Sequence, residues 1–366
     1  MANATALVLE APRRLVPREF PLPDIGNDDA LLRVEACGLC GTDHEQFTGL
    51  LAGPRGAAFV PGHETIGVIE RIGRDAAKRW EVGEGDRVAV EVFLSCRECD
   101  ACRAGSYQRC AKHGLGDMYG YIDAGKAPGL WGGYATHQYL APDSIVHRVP
   151  AVLDPVMATL FNPLGAGVRW AGTVPATKKG DVVAILGPGI RGISSVVAVR
   201  EAGAGFVMVT GAGPNDEPRL AAAREFGADL TVDVRTADPV RALREAAGRL
   251  ADIVVDVTAK APDALAQALA LVRRGGTVVM AGTRGTTETP GFVPDVIVYK
   301  EVRIQGALGV DGPAYARALE ILAGGTYSFA GLPRRVEALD GAADLLHMMA
   351  GEGVGPPPVH AVLVPQ

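Results

Sequence analysis

Short apolar runs alternate with helix-like segments through the middle of the chain. Buried strands are predicted at 182–187, 206–210, 230–234, 252–257 and 277–282. The intervening segments, such as 217–228, carry their apolar residues at helical spacing. Strand and helix in regular alternation predict right-handed β–α–β units and a parallel sheet covered on both faces. Gly203, Gly227 and Gly275–Gly276 are expected to end helices as left-handed caps.

The pattern is different on either side of this region. Before it, Gly, Pro and Asp interrupt short apolar runs at 30–34, 65–72, 87–92 and 134–140, which predicts irregular β structure. After Lys300 one more strand is predicted at 303–309, and the rest is of mixed pattern. That final segment is too short to form a good domain alone, so we expect it to pack onto a domain already built.

Composition limits the classes of function. The chain has 366 residues, a formal charge of −6 and 48% apolar residues, which predicts two or three globular domains. The negative charge argues against nucleic acid or an anionic membrane as partner. No apolar run approaches the ~20 residues of a membrane helix, and the N-terminal residues lack the pattern of a secretory signal. We therefore expect a cytoplasmic protein.

All six cysteines lie in the first third of the chain, and four of them form a C-x2-C-x2-C-x7-C cluster. These four are Cys96, Cys99, Cys102 and Cys110. Four thiolates at this spacing can enclose a tetrahedral zinc ion with no open position, which is a structural site. An iron–sulfur cluster is the competing interpretation. Zinc is favoured because the neighbouring β–α–β region predicted above needs no electron-transfer centre.

A glycine motif, G-x-G-x-x-G, ends the strand predicted at 182–187. The predicted cofactor-binding residues here are Gly187, Gly189 and Gly192, together with Ile190. The first glycine permits a tight turn, the second admits a pyrophosphate to the backbone, and the third allows close helix packing. The motif therefore predicts dinucleotide binding at a helix N-terminus. A merely flexible turn is the alternative.

The residues at the end of the second predicted strand should determine whether the chain prefers NAD or NADP. An acid is expected there to hold the adenosine ribose, but the position is Gly211, and Asp216, Glu217 and Arg219 follow in the loop. Gly211 tolerates a 2′-phosphate and Arg219 could pair with one, whereas the two intervening acids disfavour it. NAD or NADP therefore both remain open, with a slight lean to NAD.

The stretch "CGLCGTDHE" at 37–45 places Cys37 and Cys40 in a C-x-x-C arrangement. A redox dithiol, half of a zinc knuckle and one corner of a catalytic metal site all fit the stretch by itself. Downstream, His63 and Glu64 precede an apolar strand. With a zinc cluster and a dinucleotide motif in the same chain, Cys40 and His63 are candidate metal ligands.

In that combination and order, these motifs resemble the zinc-dependent medium-chain alcohol dehydrogenases. The resemblance covers essentially the whole chain and implies an α/β protein with a GroES-like mostly-β catalytic domain and a Rossmann doubly wound parallel-sheet domain. The first would span 1–155 with a zinc lobe at about 94–113, the second 156–305, and 306–366 would complete the first. The family places its active site in the cleft between the two domains.

The resemblance also implies roles for single residues. Cys40 and His63 match the catalytic zinc ligands, and Glu64 matches an acid that can enter the metal's coordination. Asp43 matches the carboxylate that orients the histidine, and Thr42 the hydroxyl that contacts the substrate oxygen. The resemblance further implies two zinc ions, one catalytic and one structural. The implied reaction is hydride transfer between an alcohol and nicotinamide, in which the alcohol proton leaves through Thr42.

Two positions depart from the family pattern. The third zinc ligand should be Cys or Glu, but the chain has Asn162. Cys40, His63 and Glu64 are then expected to be the main ligands, with Asn162 a weak ligand or merely near the metal; a residue that only caps a helix before Pro163 is the alternative. The proton relay often uses a histidine five residues after the cysteine, where Glu45 stands. His44 is the candidate outer base, and a plain exposed histidine is the alternative.

Weaker expectations concern the substrate and the partners. Met118, Tyr119 and Trp131 are candidates for lining an apolar substrate pocket, with core packing as the alternative. The other histidines are expected to be structural: His113, His137, His147, His347 and His360. The expected substrate is a primary or secondary alcohol or a polyol, and a homodimer or homotetramer is implied. The rivals are a zinc-independent reductase of the same fold and a non-enzymatic dinucleotide-binding relative.

Overall fold

The computed structural model describes residues 2–51, 56–259, 261–285, 288–349, 351–352 and 357–365. The chain divides into two compact units. The first unit is Met1–Asn162 with Asp311–Gln366, and the second is Pro163–Val310. The domain borders predicted from the sequence lie after residues 155 and 305, whereas the two units divide after residues 162 and 310.

Fifteen strands are formed by the described residues. In chain order they are β1 (Asn3–Ala11), β2 (Arg14–Pro21), β3 (Ala30–Leu39), β4 (Glu64–Ile72), β5 (Arg87–Val90), β6 (His137–Leu140), β7 (Val146–Arg148), β8 (Val182–Leu186), β9 (Phe206–Gly211), β10 (Leu230–Asp233), β11 (Ala251–Asp256), β12 (Val272–Met280), β13 (Arg303–Gly306), β14 (Arg334–Glu337) and β15 (His360–Leu363).

Twelve α-helices connect these strands within the described ranges. They are α1 (Gly41–Thr48), α2 (Arg74–Trp80), α3 (Asp100–Arg103), α4 (Pro155–Ala158), α5 (Phe161–Gly167), α6 (Ile190–Glu201), α7 (Glu217–Glu225), α8 (Pro239–Ala247), α9 (Ala264–Leu271), α10 (Asp295–Lys300), α11 (Gly312–Gly324) and α12 (Ala342–Met349). Short 3₁₀ turns lie at Tyr107–Arg109, Pro214–Asp216, Phe329–Gly331 and Leu339–Gly341, and a π-helical segment at Val168–Thr173. None of these helices is long and apolar enough to cross a membrane.

The first unit is built mainly from β structure. Its larger sheet has the order β14-β15-β3-β4-β5-β7, with β6 also paired to β3, and β1 and β2 form a separate hairpin. The strand β15, from the end of the chain, pairs antiparallel with β3, so that Ala361 faces Leu39. The end of the chain therefore completes a sheet that begins near residue 30.

The second unit is a six-stranded sheet in the order β10-β9-β8-β11-β12-β13, and every neighbouring pair is parallel. Strand order reverses between β8 and β11, which is the doubly wound arrangement with a ligand crevice at its switch point. The β8 strand is buried along its whole length, as expected for a strand covered on both faces. The predicted fold class is confirmed.

Three local predictions were wrong or incomplete. The β1–β2 hairpin was not predicted, since its second strand is largely exposed and lacks a clear apolar period. The strand expected from Tyr134 begins only at His137. Tyr134 donates its N–H to the Pro61 carbonyl and accepts one hydrogen bond from Leu7 of β1, which makes an isolated bridge and not a continuous ladder. Gly275 caps no helix: α9 ends at Leu271, and Gly275 lies within β12 with φ 68°.

Candidate functional site

Three candidate metal ligands meet where β3 and β4 lie side by side. Cys40 follows β3 directly, His63 precedes β4, and Glu64 is the first residue of β4. Because Gly38 pairs with Glu64 in this antiparallel register, the two strand ends lie next to each other. Sγ of Cys40 is 3.2 Å from Nε2 of His63, and one ligand atom from each of the three residues lies within 4.8 Å of the others.

The site is buried, and two glycines make room for it. Cys40, His63 and Glu64 are each at most 5% exposed. A Cβ atom at Gly38 would lie 2.5 Å from Oε2 of Glu64, so only glycine leaves space for that carboxylate. Gly62 has φ 94°, and a Cβ there would lie 2.5 Å from the Tyr134 ring. The chain next to His63 therefore requires glycine.

Asp43 lies against two of the candidate ligands. Its Oδ2 accepts a hydrogen bond of 2.8 Å from the Cys40 backbone N–H, which caps the first turn of α1. Its Oδ1 lies 3.6 Å from Nδ1 of His63. A carboxylate behind a histidine fixes the ring so that the other nitrogen faces the metal. Thiolate, imidazole and carboxylate with one position left open fit a catalytic zinc ion.

Asn162 lies beside this set in α5. It is 3% exposed, and its Nδ2 donates a hydrogen bond of 3.4 Å to the backbone carbonyl of His63. The amide therefore contacts the chain that carries a candidate ligand. Whether its oxygen also binds metal stays a prediction.

Thr42 and His44 both lie near the start of α1 and are half-buried. Their residue types suit a substrate contact and an outer base for a proton relay. These two roles stay predictions.

The four-cysteine lobe gathers its thiols around α3 and the following turn. One Sγ atom from each of the four lies within 4.8 Å of the others. The Cys99 backbone N–H donates to Sγ of Cys96 at 3.4 Å. Backbone hydrogen bonds from Ala111 and Cys102 lower the pKa of Cys99 to about 6, which favours the thiolate that binds metal. The donors fit a closed tetrahedral zinc site.

The glycine motif forms a loop between β8 and α6 in the second unit. Gly187 has φ 103°, and a Cβ at Gly192 would lie 1.9 Å from the Gly187 carbonyl oxygen. Gly189 has no atom within 4 Å of its Cβ position, so its backbone is open to a ligand. Ile190 is the first residue of α6, a helix of 12 residues. The loop fits a pyrophosphate at a helix N-terminus.

An acidic side chain lies beside the end of β9, although the sequence has glycine there. The 3₁₀ turn at 214–216 brings Asp216 back, so that its Cβ is 3.0 Å from the Cβ position of Gly211. Its Oδ2 accepts a hydrogen bond of 2.8 Å from the Ala212 N–H. Arg219 pairs with the same carboxylate at 3.3 Å. Sequence reasoning did not select Asp216, because the turn that returns it is not visible in residue spacing.

Comparisons with known proteins identify the family of the chain. Residues 26–151 match the family model "Alcohol dehydrogenase GroES-like domain", and 192–324 match "Zinc-binding dehydrogenase". A protein of Mycobacterium tuberculosis named "Probable alcohol dehydrogenase" is 66% identical over 365 residues, covering 100% of this chain and 99% of that protein. The chain belongs to the zinc-dependent medium-chain alcohol dehydrogenase family.

Other members of this alcohol dehydrogenase family are more distant. A Bacillus subtilis sorbitol dehydrogenase is 33% identical, with 88% of this chain and 87% of that protein covered. A Thermotoga maritima alcohol dehydrogenase structure has a TM-score of 0.86 at 25% identity, with both chains fully covered. A Sinorhizobium meliloti structure, assigned as a zinc-binding dehydrogenase and bound to NADP, has a TM-score of 0.83 at 27% identity over both full chains.

Membership in the alcohol dehydrogenase family establishes the class of activity. The chain is an oxidoreductase that interconverts alcohols and carbonyl compounds, with zinc and a nicotinamide cofactor. Its substrates are small molecules. These predictions from sequence are confirmed.

The aromatic residues expected to line a substrate pocket are core residues of this alcohol dehydrogenase. Tyr119 is 1% exposed and Trp131 4%. The Tyr119 hydroxyl bonds to Ser144, and the Trp131 ring packs edge-on against Tyr139 at 5.1 Å. Met118 is also buried. These contacts favour core packing, the alternative interpretation, for the three side chains.

Cys37 is a packing residue. It is fully buried, its Sγ lies 3.8 Å from the Thr65 hydroxyl, and burial raises the pKa of its thiol far above the usual value. A thiol in this state is a poor nucleophile. Of the three interpretations of "CGLCGTDHE", the redox dithiol is therefore disfavoured.

Proposed function

We propose that this enzyme oxidises a primary or secondary alcohol, or a polyol, and reduces the corresponding carbonyl, at a zinc site made by Cys40, His63 and Glu64. The observation that carries the proposal is the convergence of these three side chains, with Cys40 Sγ and His63 Nε2 3.2 Å apart. The cluster of four cysteines is proposed to hold a second, structural zinc.

The side chains divide the work of the reaction. A zinc ion held by Cys40, His63 and Glu64 would supply Lewis-acid polarisation of the substrate oxygen, and a bound nicotinamide would supply the hydride chemistry. Asp43 keeps His63 and Cys40 in place through its two oxygens. The Thr42 hydroxyl would hold the substrate hydroxyl and accept its proton while releasing its own towards His44, the outer base. Burial of the candidate ligands excludes water and strengthens each electrostatic contact.

Within the nicotinamide cofactors we propose NAD. The loop Gly187, Gly189, Ile190 and Gly192 binds the pyrophosphate, and the Asp216 carboxylate beside Gly211 accepts the ribose hydroxyl. A 2′-phosphate would meet this negative charge, and Arg219 is already paired with it. The NADP-bound relative makes NADP the alternative to test.

The assembly is proposed to be a homodimer or homotetramer. The strand β13 is at the edge of the parallel sheet, with most of its residues exposed. Such an edge can pair with its copy across a two-fold axis. We propose a cytoplasmic location, because cysteines gathered in candidate metal sites are typical of a compartment that keeps thiols reduced.

A panel of alcohols tests this function. Purified enzyme is assayed with primary, secondary and polyol substrates, each with NAD and with NADP, while zinc is quantified. We expect reduction of NAD with at least one class and loss of activity after treatment with a chelator. Activity that survives removal of zinc would identify the zinc-independent reductase. Dinucleotide binding without turnover of any substrate would identify the non-enzymatic relative.

A further inference from the structure

We propose that Asp143 is a positioning residue for the four-cysteine lobe: its carboxylate joins the two ends of the metal-binding loop and keeps the four thiols gathered. The inference rests on the structural zinc of the proposed function. It concerns a residue 33 positions beyond the last cysteine, in the connection between β6 and β7.

One carboxylate meets basic side chains from both ends of the lobe. Nζ of Lys112 lies 2.6 Å and Nε2 of His113 2.7 Å from Oδ2 of Asp143. Nη1 of Arg97 lies 3.6 Å from Oδ1. Arg97 directly follows Cys96, the first cysteine of the lobe, and Lys112 comes two residues after Cys110, the last. Asp143 therefore closes the loop at its base.

Arg97 makes further contacts with the same connection. Its guanidinium donates hydrogen bonds of 3.1 Å to the Pro142 carbonyl and 2.6 Å to the Ser144 carbonyl. Its backbone has φ 62°, a left-handed conformation that is costly for a residue with a side chain. These contacts hold Arg97 in the turn that brings Cys96 and Cys99 to one metal.

Asp143 is itself held firmly. Its backbone carbonyl accepts a hydrogen bond of 2.9 Å from Ser95, and its side chain is only 17% exposed. The neighbouring Ser144 is bonded to the buried Tyr119 hydroxyl at 2.6 Å and to the Trp80 indole at 3.0 Å. The carboxylate is thus a fixed point of the first unit, to which the lobe is attached.

Closing the lobe at its base affects how the lobe binds metal. An open loop must lose conformational entropy to bring distant thiols together, and a loop closed beforehand has already lost it. Ion pairs between partly buried groups are also screened less than exposed ones. Removing the Asp143 charge should therefore accelerate zinc release from the lobe and leave the Cys40–His63–Glu64 site unaffected.

Release of zinc from the holoenzyme to a coloured chelator tests the inference. We expect Asp143→Asn to release one of its zinc ions about tenfold faster than wild type, with the release of the other unchanged. Lys112→Met, at a side chain 63% exposed, should give a smaller acceleration without threatening the fold. Glu70→Gln is the matched control, since Glu70 pairs with His137 in another part of the unit.

Each other outcome is decisive. Wild-type release rates in both Asp143→Asn and Lys112→Met would overturn the role of Asp143. An equal acceleration in Glu70→Gln would also overturn it, because the effect would then be general. If Cys99→Ser left the zinc content of the enzyme unchanged, the structural zinc itself would be wrong, and this inference with it.

Discussion

Oδ1 of Asp43 lies 3.6 Å from Nδ1 of His63, while the other oxygen of the same carboxylate accepts the Cys40 N–H at 2.8 Å. A single buried side chain thus lies against two candidate zinc ligands that are 23 residues apart in the sequence. The same carboxylate caps the first turn of α1 and faces the histidine ring. The geometry of the metal site is therefore tied to the start of this helix.

Replacing Asp43 should weaken the catalytic zinc site selectively. Asp43→Asn removes the charge that orients His63, and such partners typically change metal affinity by about 10- to 100-fold. Zinc competition with a chelator should show this loss at one of the two sites. Asp75→Asn, at an exposed acid in α2, is the control. Equal weakening at both sites would contradict the assignment.

Two substitutions of Asn162 distinguish a zinc ligand from a residue that only supports the His63 backbone. If the amide only supports the His63 backbone through Nδ2, Asn162→Asp and Asn162→Ala lose the same donor and should lower kcat by a similar factor. We expect this result, because the Nδ2 contact at 3.4 Å is present. If Asn162 is a zinc ligand, Asn162→Asp should bind the catalytic zinc more tightly than wild type and Asn162→Ala less tightly. Zinc content and kcat measured together distinguish the two.

Asp216 should set the preference between the two dinucleotides. Hydrogen bonds to charged groups contribute about 1.5–3 kcal/mol, so Asp216→Ala should lower kcat/KM for NAD by about 10- to 100-fold. It should lower kcat/KM for NADP less, because the repulsive charge is also removed and Arg219 is released. Glu245→Gln, in an exposed pair on α8, is the control. A wild type that prefers NADP would refute the proposed cofactor choice.

His360 should make the fold sensitive to acid. Its Nδ1 accepts a hydrogen bond of 2.9 Å from Arg334, and its Nε2 lies 2.8 Å from the Thr159 hydroxyl. Burial and the Arg334 charge lower the pKa of His360 to about 3. Unfolded histidine titrates near 6.5, so this contribution to stability is complete above that pH and is lost as the pH falls towards 3.

Urea unfolding at several pH values measures this effect. The free energy of unfolding should decline by about 1.4 kcal/mol per pH unit below pH 6 on account of His360. His360→Gln should be less stable than wild type at pH 7, and the difference should shrink by about 2 kcal/mol near pH 5. A difference that does not depend on pH would show that His360 titrates normally in the folded chain.

Much of the fold could be predicted because the relevant signals are local. Parallel strands covered on both faces appear as continuous apolar runs, so β8 to β11 were located to within a residue or two. The G-x-G-x-x-G loop and the four cysteines lie within short segments whose spacing alone restricts their geometry. Strand β2 was missed because an exposed strand carries no such apolar signal, whereas its partner β1 is a largely buried apolar run.

By itself, then, the sequence determined which residue types are available for metal and dinucleotide binding, and which segments are strands of a buried sheet. Tertiary structure alone decided how the distant residues meet. The β3–β4 register joins Cys40 to His63, a 3₁₀ turn returns Asp216 to Gly211, and the β6–β7 connection brings Asp143 to the cysteine lobe. The tertiary structure also buries Tyr119 and Trp131 in the core. Such contacts depend on strand pairing and packing between distant segments, which residue spacing along the chain does not encode.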